Sequence, residues 1–367
     1  MDASVNIGLI GCGKISSQYL ESCSRFPILR IGACADLDER RAAEKAAEFG
    51  VPRACPVADL LQDPEIDLVV NLTVPKVHAE VSLAAIEAGK HVYSEKPLAI
   101  TEEDARRILA AAAAHGVRVG CAPATHLGGG YQMVRRLIDS GAIGIPVAAT
   151  AFMMNRGPES WHPNPSFYYQ VGGGPLLDMG PYYITALVSL LGPVRRVTGL
   201  TRASFPERIA TSAELYGLRI PVEVATHAVG LLEFSSGVIA TLITSFDIWA
   251  HSLPRIEIYG SEGSITAPDP NIFGGPVRLY RSAEMTWQEV PLSHSPNVGR
   301  GIGVADLAAA VLGQQPCRIG GDLAYHVLEI MLAIEEAART ERHILLRSTC
   351  ERPAPLPPGV PEAQLNV

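Results

Sequence analysis

The chain has 367 residues, of which 47% are hydrophobic and 19% are charged, and its formal net charge is −8. At roughly 150 residues per domain, this length indicates two domains. The composition excludes an intrinsically disordered chain, and no apolar run approaches the roughly 20 residues of a membrane span, so we expect no membrane contact. The acidic balance, without a stripe of Lys and Arg, argues against nucleic acid as a partner.

Seven cysteines are scattered along the chain without a C-x-x-C pair. This arrangement favours buried thiols in a reducing compartment over a disulfide framework or a zinc site. The first residues lead straight into an apolar segment, without the basic region and cleavage site of a secretory signal. We therefore expect a cytoplasmic protein without a metal, and we interpret Asp306 and His326 as structural because no metal-ligand spacing relates them.

Short apolar runs alternate with helix-period segments in the first third of the chain, a pattern typical of a parallel sheet covered by helices. The predicted strands are 5–10, 30–35, 68–72, 91–93 and 117–121. The predicted helices are 15–23, 39–49, 77–88 and 102–114. We assign this α/β domain to residues 1–124.

The rest of the chain separates helices from strands. Helices are predicted at 131–140, 175–191, 304–312 and 323–338, and strands at 221–234, 238–246 and 255–259. Strands that follow one another indicate an α+β domain with a largely antiparallel sheet, which we assign to residues 125–345. The sequence leaves open which domain the last helix packs on. The tail, 346–367, is rich in proline, which favours an extended or disordered arm.

The first predicted strand ends in G-L-I and is followed by G-C-G-K-I-S, a glycine turn that leads into a helix. In a dinucleotide fingerprint, Gly11 permits the tight turn and Gly13 lets the backbone approach a pyrophosphate. The helix that begins near Lys14 and Ile15 directs its N–H groups at that charge. An ordinary strand-to-helix turn is the alternative for this motif alone.

An acidic residue completes the fingerprint. Ser16 stands at the third glycine position and is small enough to keep helix and strand close. Asp36 ends the next strand, where a carboxylate grips a ribose hydroxyl. A carboxylate repels a 2′-phosphate, so Asp36 favours NAD over NADP, although Arg40 and Arg41 lie near enough in sequence to keep NADP open. Taken alone, Asp36 could equally be a helix N-cap.

Two further groups of candidate site residues stand at the carboxyl ends of the next two predicted strands. Their sequences are N-L-T-V-P-K-V-H and S-E-K-P-L. Ligands of open α/β sheets bind outside the carboxyl ends of the strands, so both clusters belong beside a cofactor. We therefore place Thr73, Pro75, His78, Glu95 and Lys96 there. Lys96 is positioned to stabilise an alkoxide, with a solvated loop lysine as the alternative.

Asp178 and Tyr182 in G-G-G-P-L-L-D-M-G-P-Y-Y lie four residues apart, so they share one face if the helix continues through them. Pro181 opposes this because it removes a backbone hydrogen bond, while Gly180 gives the chain room to adapt. Taken alone, Asp178 could be a capping residue and Tyr182 a core aromatic.

The segment N-R-G-P-E-S-W-H-P-N-P-S-F-Y-Y is rich in aromatic and polar residues. Such loops usually only cover a core. Trp161, however, offers a face for a sugar ring, and Arg156, His162 and Tyr168 offer hydrogen bonds. We also place His126, just after the first domain, among the residues expected to contact a substrate.

Together these motifs, with G-A-I-G-I-P at 141–146, resemble the Gfo/Idh/MocA oxidoreductases, named for glucose-fructose oxidoreductase and inositol dehydrogenase. The resemblance covers nearly the whole chain. It implies an α/β Rossmann domain plus an α+β domain with an open, largely antiparallel sheet that often mediates dimers or tetramers. It also implies bound NAD(P) and a sugar, cyclitol or related polyol as substrate.

Position by position, the resemblance makes Lys96 the catalytic lysine and Asp178 a substrate-binding aspartate. Tyr182 departs from the histidine that many members carry, although some members have tyrosine there. A nearby ammonium such as that of Lys96 favours a phenolate. Our hypothesis is that Tyr182 takes the proton from a substrate hydroxyl while Lys96 supports the charge.

The sequence therefore predicts an NAD-dependent dehydrogenase of a sugar or cyclitol, assembled as a homodimer or homotetramer. The run S-W-H-P with D-M-G-P-Y-Y also resembles a subgroup that includes D-apiose dehydrogenase. The alternatives are a member that retains NAD, acting as a sugar–sugar oxidoreductase or glycosidase, and a regulator without turnover that binds NAD or sugar. The presence of Lys96, Asp178 and Tyr182 argues against the regulator.

Overall fold

Two sheets organise the chain in the computed structural model, which describes residues 4–313 and 315–357. The first is entirely parallel, with strand order β2-β1-β3-β4-β5. Its strands are β1 (Val5–Ile10), β2 (Leu29–Ala35), β3 (Leu68–Asn71), β4 (His91–Ser94) and β5 (Val119–Cys121). Helices cover both faces, which explains why β3 is apolar and buried along nearly its whole length.

The helices of this first part begin and end where capping residues allow. They are α1 (Ser16–Cys23), α2 (Glu39–Phe49), α3 (Val57–Gln62), α4 (His78–Glu87) and α5 (Glu102–His115). Asp38 and Thr101 accept backbone N–H groups at the starts of α2 and α5, and Gly50 and Gly116 end those helices with φ of 66°. Helix α3 is not among the predicted elements.

The second sheet has nine strands in the described residues, in the order β15-β14-β13-β12-β6-β11-β10-β7-β16. Only β6 and β11 pair in parallel within it. A separate hairpin contains β8 and β9. The strands are β6 (Pro146–Met154), β7 (Val194–Arg202), β8 (Glu207–Ile209), β9 (Arg219–Pro221), β10 (His227–Phe234), β11 (Ile239–Ser245), β12 (Ile256–Gly260), β13 (Gly263–Ala267), β14 (Val277–Arg281), β15 (Trp287–Val290) and β16 (Ile344–Leu345). The fold class is as predicted, but the predicted strand 221–234 is two elements.

Helices cover one face of this second sheet. They are α6 (Gly129–Asp139), α7 (Gly174–Leu191) and α9 (Gly321–Thr340), whereas α8 (Gly301–Val311) packs on the first sheet and α1. Ile334 on α9 approaches Gly199 and Gly230 so closely that a Cβ at either glycine would lie 2.8 Å from it. The opposite face carries exposed apolar side chains, among them Leu200 and Leu231, and we call it the open face.

The carboxyl-terminal part of the chain ties both sheets together. Helix α9 packs on α5 and β5 as well as on α7 and β7, so it contacts both domains. The division at residue 124 remains a prediction, although α8 lies in the core of the first domain. The tail is extended as far as the structure describes it: Arg135 donates to the Pro353 carbonyl at 2.7 Å, and the Leu356 N–H donates to Gln132 at 2.7 Å. The rest of the predicted arm lies outside the described residues.

All seven cysteines lie within the described residues and are free thiols. Across residues 4–313 and 315–357, no helix combines the length and apolar character that crossing a bilayer requires.

Candidate active site

Two clefts meet at the turn between β1 and α1. The first encloses about 390 Å³ and is lined by Gly11, Gly13, Asp36 and Thr73 among others. The second encloses about 490 Å³ and lies between the domains. Its lining includes Lys14, Ile15, Gln18, Lys96, Asn155, Trp161, His162, Tyr168, Asp178, Tyr182, Tyr183, Arg255, Asp269, Asn271 and Arg300.

The glycine turn fits a dinucleotide. Gly11 has φ of +101°, and a Cβ there would lie 2.7 Å from the carbonyl carbon of Leu72. A Cβ at Gly13 would meet no protein atom, so the space beside its backbone is open to a ligand. The start of α1 has no side-chain cap, and Ser16 donates to the Gly13 carbonyl at 2.6 Å. The N–H groups of Ser16 and Gln18 donate to the Gly13 and Ile15 carbonyls at 3.1 Å, so a phosphate would lie in the open space at Gly13, just ahead of the first turn of α1.

Asp36 is held at the rim of the first cleft by backbone groups. Its oxygens accept the N–H of Cys12 at 2.7 Å and of Asp38 at 2.9 Å. Asp38, not Asp36, caps α2. The Arg41 guanidinium lies 3.4 Å from Asp36 and lines the cleft, whereas Arg40 pairs with Glu44 on the exposed side of α2.

Three residues that the sequence predicts beside the cofactor do not line either cleft. His78 is buried, and its ring nitrogens lie 2.7 Å from the Pro97 carbonyl and 3.0 Å from the Thr73 carbonyl. His78 therefore lies between the two loops beneath the site and offers no free nitrogen to a ligand. Burial lowers the pKa of His78, and the two carbonyls oppose that shift in part. Pro75 begins a single helical turn and also lies off the cleft. Glu95, buried below Lys96, is the third.

Lys96, Asp178 and Tyr182 lie together on one wall of the second cleft. Helix α7 continues unbroken through Pro181, so Asp178 and Tyr182 do share a face. The Lys96 Nζ donates to Asp178 Oδ1 at 2.8 Å and to the Asp178 carbonyl at 2.6 Å. It also lies 5.3 Å from the centroid of the Tyr182 ring.

The charges around Lys96 keep it protonated. Burial lowers the pKa of Lys96, but the neighbouring Asp178, Tyr182 and Glu95 outweigh this and raise the pKa above its ordinary value. Burial raises the pKa of Glu95. The neighbouring cations Arg300 and Lys96 lower it by more, so the pKa of Glu95 lies below its ordinary value. Glu95 is therefore a carboxylate, which accepts from Tyr19 at 2.8 Å.

Arg300, which sequence reasoning missed, connects the wall to the first domain. Its guanidinium donates to the Tyr182 hydroxyl at 3.1 Å, to Gln18 at 2.9 Å and to Asn271 at 3.4 Å. It also lies 3.9 Å from Glu95. A single arginine in N-V-G-R-G-I-G matches no motif, so only the fold brings it to the site.

The aromatic segment contributes three side chains to the lining of the second cleft, which we call the aromatic wall: Trp161, His162 and Tyr168. The Lys14 ammonium lies 5.8 Å from the Trp161 ring, which joins this wall to the start of α1. Arg156 does not line the cleft, which corrects its assignment to the substrate. Its guanidinium packs over Trp249, 4.9 Å from the ring centroid, and Asn155 faces the cleft instead.

His126, which we expected to contact a substrate, also lies away from the second cleft. It is 3% exposed and lies beside Gln132, Arg135 and the Pro353 tail, away from both clefts. Burial lowers the pKa of His126 to about 4. A side chain enclosed in this way does not reach a ligand in the second cleft, so its assignment to the substrate is corrected.

Comparison with known proteins places this site in a family. Residues 5–122 match an oxidoreductase family with an NAD-binding Rossmann fold, and residues 131–266 match the GFO/IDH/MocA C-terminal domain. The 1,5-anhydro-D-fructose reductase of Ensifer adhaerens is 30% identical over 264 residues, covering 70% of this chain and 74% of that protein. The inositol 2-dehydrogenase of Ralstonia nicotianae is 29% identical over 275 residues, covering 73% of this chain and 75% of that protein.

Solved structures share the fold. Levoglucosan dehydrogenase in complex with NADH and levoglucosan has a TM-score of 0.82 at 22% identity, covering 94% of this chain and 100% of that chain. The subgroup that includes D-apiose dehydrogenase stays a prediction. The chain belongs to the Gfo/Idh/MocA family of oxidoreductases with an NAD(P)-binding Rossmann domain.

Proposed function

We propose that this protein is an NAD-dependent dehydrogenase that oxidises a hydroxyl group of a sugar or cyclitol. The observation that carries the proposal is the grouping of Lys96, Asp178 and Tyr182 on one wall of a cleft that meets the dinucleotide turn. Relatives named for a sugar reductase and an inositol dehydrogenase support the substrate class.

The first cleft supplies the cofactor site. Gly11, Gly13 and the start of α1 would hold the pyrophosphate, and Asp36 the ribose of the adenosine. When bound, the nicotinamide supplies the two-electron acceptor that oxidation of an alcohol requires. Asp36 gives the preference for NAD, because its carboxylate repels a 2′-phosphate.

The residues of the second cleft bind the substrate and move its proton. The Lys96 ammonium has three donors and uses two of them on Asp178, so one is left for a substrate oxygen. Tyr182 acts as a phenolate that accepts the hydroxyl proton at its own oxygen and becomes the neutral phenol, and the Arg300 guanidinium, which donates to that oxygen, stabilises the negative charge before the transfer. Asp178 accepts from a second hydroxyl and orients the ring.

The aromatic wall of the second cleft is suited to binding a polyol. Trp161 presents an aromatic face, and His162 and Tyr168 present polar groups beside it. Burial lowers the pKa of His162, which favours the neutral ring, and its Nδ1 accepts the Asn164 N–H at 3.0 Å, so Nε2 is left to donate to a substrate oxygen. An aromatic face with polar groups around it matches the alternating apolar and hydroxyl surfaces of a sugar.

The test is an initial-rate assay at the nicotinamide absorbance with pentoses, hexoses, inositols and glycosides, each with NAD and with NADP. Steady production of NADH on one of these classes is the expected result. Binding of NAD by calorimetry without release of NADH would contradict the proposal. Turnover with NAD retained would then favour the sugar–sugar oxidoreductase or glycosidase, and no turnover would favour the regulator.

We expect a homodimer or homotetramer in which subunits meet through the open face of the second sheet. Leu200 on β7, Leu231 on β10 and Ile239 on β11 are 74%, 45% and 56% exposed on adjacent strands of that face. Exposed apolar patches of this kind mark interaction surfaces. Leu231→Glu should therefore lower the molar mass measured by light scattering, whereas Leu218→Glu, on the separate hairpin, should not. A monomeric parent protein would contradict this.

A further inference from the structure

A buried ion cluster outside the second cleft holds the segment that forms its aromatic wall. Arg208 on β8 is 2% exposed, and its guanidinium donates to Asp247 Oδ1 at 2.7 Å and to the Phe246 carbonyl at 2.9 Å. It also donates to the carboxylate of Glu159 and to the carbonyl of Arg156. Both of these groups belong to residues 155–169, which we name the cleft segment.

Backbone hydrogen bonds join the same hairpin to the cleft segment at two more points. The N–H groups of Thr211 and Ser212 donate to the Glu159 carbonyl at 3.0 Å and 3.2 Å. Beyond β9, the N–H of Glu223 donates to the Tyr169 carbonyl at 2.8 Å. The segment is therefore held near its middle and at its end by the β8–β9 hairpin.

The charges of Arg208, Glu159 and Asp247 favour one position of the cleft segment. One buried guanidinium lies between two buried carboxylates, Glu159 and Asp247, and Thr226 donates to the second of them at 2.7 Å. Buried charges are tolerated only in geometries that pair them, so a displaced Glu159 would leave an unpaired charge. Burial raises the pKa of Glu159, which reflects the cost of keeping this carboxylate away from water.

The cluster is close in sequence to the wall of the cleft. The N–H groups of Trp161 and His162 both donate to the Pro158 carbonyl, so Glu159 lies inside the turn that presents these two rings. Trp161 is 60% exposed, and its only cationic partner in the described residues is Lys14. Glu159 thus fixes the backbone of this turn on the side away from the cleft, while the His162 ring also packs on Phe167 and Tyr168 within the segment.

We infer that Arg208 is a positioning residue which, through Glu159, sets the position of Trp161 and His162 against the substrate. Arg208 does not line the cleft and touches no reacting atom. It controls how well the substrate is bound, and the proton-transfer residues Lys96 and Tyr182 are unaffected by it. The inference rests on the proposed dehydrogenase function for its effect on turnover.

The test uses Arg208→Lys and Glu159→Gln in the full chain, with Arg219→Lys and Glu207→Gln as matched controls. The control pair lies on the same hairpin but is exposed. With the sugar or cyclitol found active, we expect KM to rise about tenfold in the two test variants while kcat and NAD affinity stay within about threefold. If Arg208→Lys does not fold, as judged by thermal unfolding, Glu159→Gln carries the test.

A second readout needs no turnover. In protein labelled with 5-fluorotryptophan, the resonance of Trp161, assigned with Trp161→Phe, should shift or broaden in both test variants, while that of Trp287 stays in place. An unchanged Trp161 resonance would overturn the inference, and so would a moved resonance with unchanged KM or a loss confined to kcat. If no substrate is turned over, the proposed function fails, and the resonance alone decides whether Arg208 positions the segment.

Discussion

The residue that departs from the family pattern, Tyr182, lies between two cations. The Lys96 ammonium is 5.3 Å from its ring centroid, and Arg300 donates to its hydroxyl at 3.1 Å. Fixed positive groups around an oxygen stabilise negative charge on it without reorganisation. We therefore propose that Tyr182 is the proton acceptor of this site and that Arg300 stabilises negative charge on its oxygen.

Removing the hydroxyl alone tests this role. Tyr182→Phe keeps the ring beside Lys96 and should lower kcat by roughly 10²- to 10⁴-fold, since general acid–base groups contribute factors of this size. NAD affinity, measured by calorimetry, should not change. Tyr280→Phe, the same deletion on β14 away from both clefts, should retain full activity. Near-normal turnover in Tyr182→Phe with intact NAD binding would show that another group takes the proton.

We expect the preference for NAD over NADP to depend on a single carboxylate, that of Asp36. Asp36→Asn keeps an oxygen for the Cys12 N–H but removes the charge that repels a 2′-phosphate, and Arg41 is 3.4 Å away to receive that phosphate. We expect the ratio of NAD to NADP affinity to fall by about tenfold, or about 1.4 kcal/mol. Asp38→Asn, the same charge change off the cleft, is the control for calorimetry. A ratio that moves equally in both variants would assign the preference elsewhere.

The site residues differ in how visible they are in the sequence. Lys96, Asp178 and Tyr182 stand in motifs whose spacing and neighbours point to chemistry, and the fold does bring them together. Arg300 carries no such motif, and Arg156 and His126 look like ligands although packing turns them away from the cleft. Whether a lone polar side chain faces a cleft is decided by tertiary contacts, which a single sequence does not contain.

At the scale of elements, the turn between β1 and α1 contains two glycines with different reasons to be glycine. Gly11 needs both its φ of +101° and the absence of a Cβ, because Leu72 lies 2.7 Å from where that atom would be. A Cβ at Gly13 would point into open space. Gly11 is therefore required by the fold, and we expect the open space at Gly13 to be used by a ligand.

The two glycines should therefore respond differently to alanine. Gly11→Ala should lower the free energy of unfolding by about 2 kcal/mol or more, through strain and close contact. Gly13→Ala should leave thermal unfolding nearly unchanged and weaken NAD binding by at least about tenfold. Thermal unfolding and calorimetry on both variants give the comparison. Equal loss of stability in the two would contradict the distinction.

Most helices are predictable because local chemistry defines their ends. Asp38 caps α2, Thr101 caps α5, and a glycine ends each of these helices. Asp36, which the sequence left open as an N-cap, does not cap α2. The predicted strand at 221–234 fails for a tertiary reason: the N–H groups of Val222 and Glu223 bond to Pro206 and Tyr169, outside the second sheet. The parallel pairing of β6 with β11 is equally invisible, since distant segments supply each other's hydrogen bonds.

At the scale of the molecule, helix α9 near the carboxyl-terminal end of the chain connects the two domains. This helix contacts both domains, and His326 on α9 joins it to the start of β7 and to the segment after β16. The Val194 N–H donates to His326 Nε2 at 3.0 Å, so Nε2 is unprotonated and Nδ1 is left to donate to Ser348 at 2.7 Å. Burial and this arrangement favour the neutral ring, and the pKa of His326 is lowered to about 4.

This histidine makes the stability of the whole protein depend on pH. Because the pKa of His326 is about 4 in the folded state and about 6.5 when unfolded, the unfolded chain binds more protons between those values. Its contribution is complete above pH 6.5 and is lost as the pH falls toward 4. Between pH 7 and pH 5 we expect the protein to lose about 2 kcal/mol through this residue.

Urea unfolding at pH 7 and pH 5 measures the effect. His326→Gln keeps an acceptor for Val194 and a donor for Ser348 but does not titrate, so its loss between the two pH values should be about 2 kcal/mol smaller than that of the parent. His343→Gln, at an exposed position, should lose as much as the parent does. Only the difference between the pH values enters, so a variant that is less stable throughout still gives an answer. An identical loss in parent and His326→Gln would mean that the ring is protonated in the folded protein at pH 5.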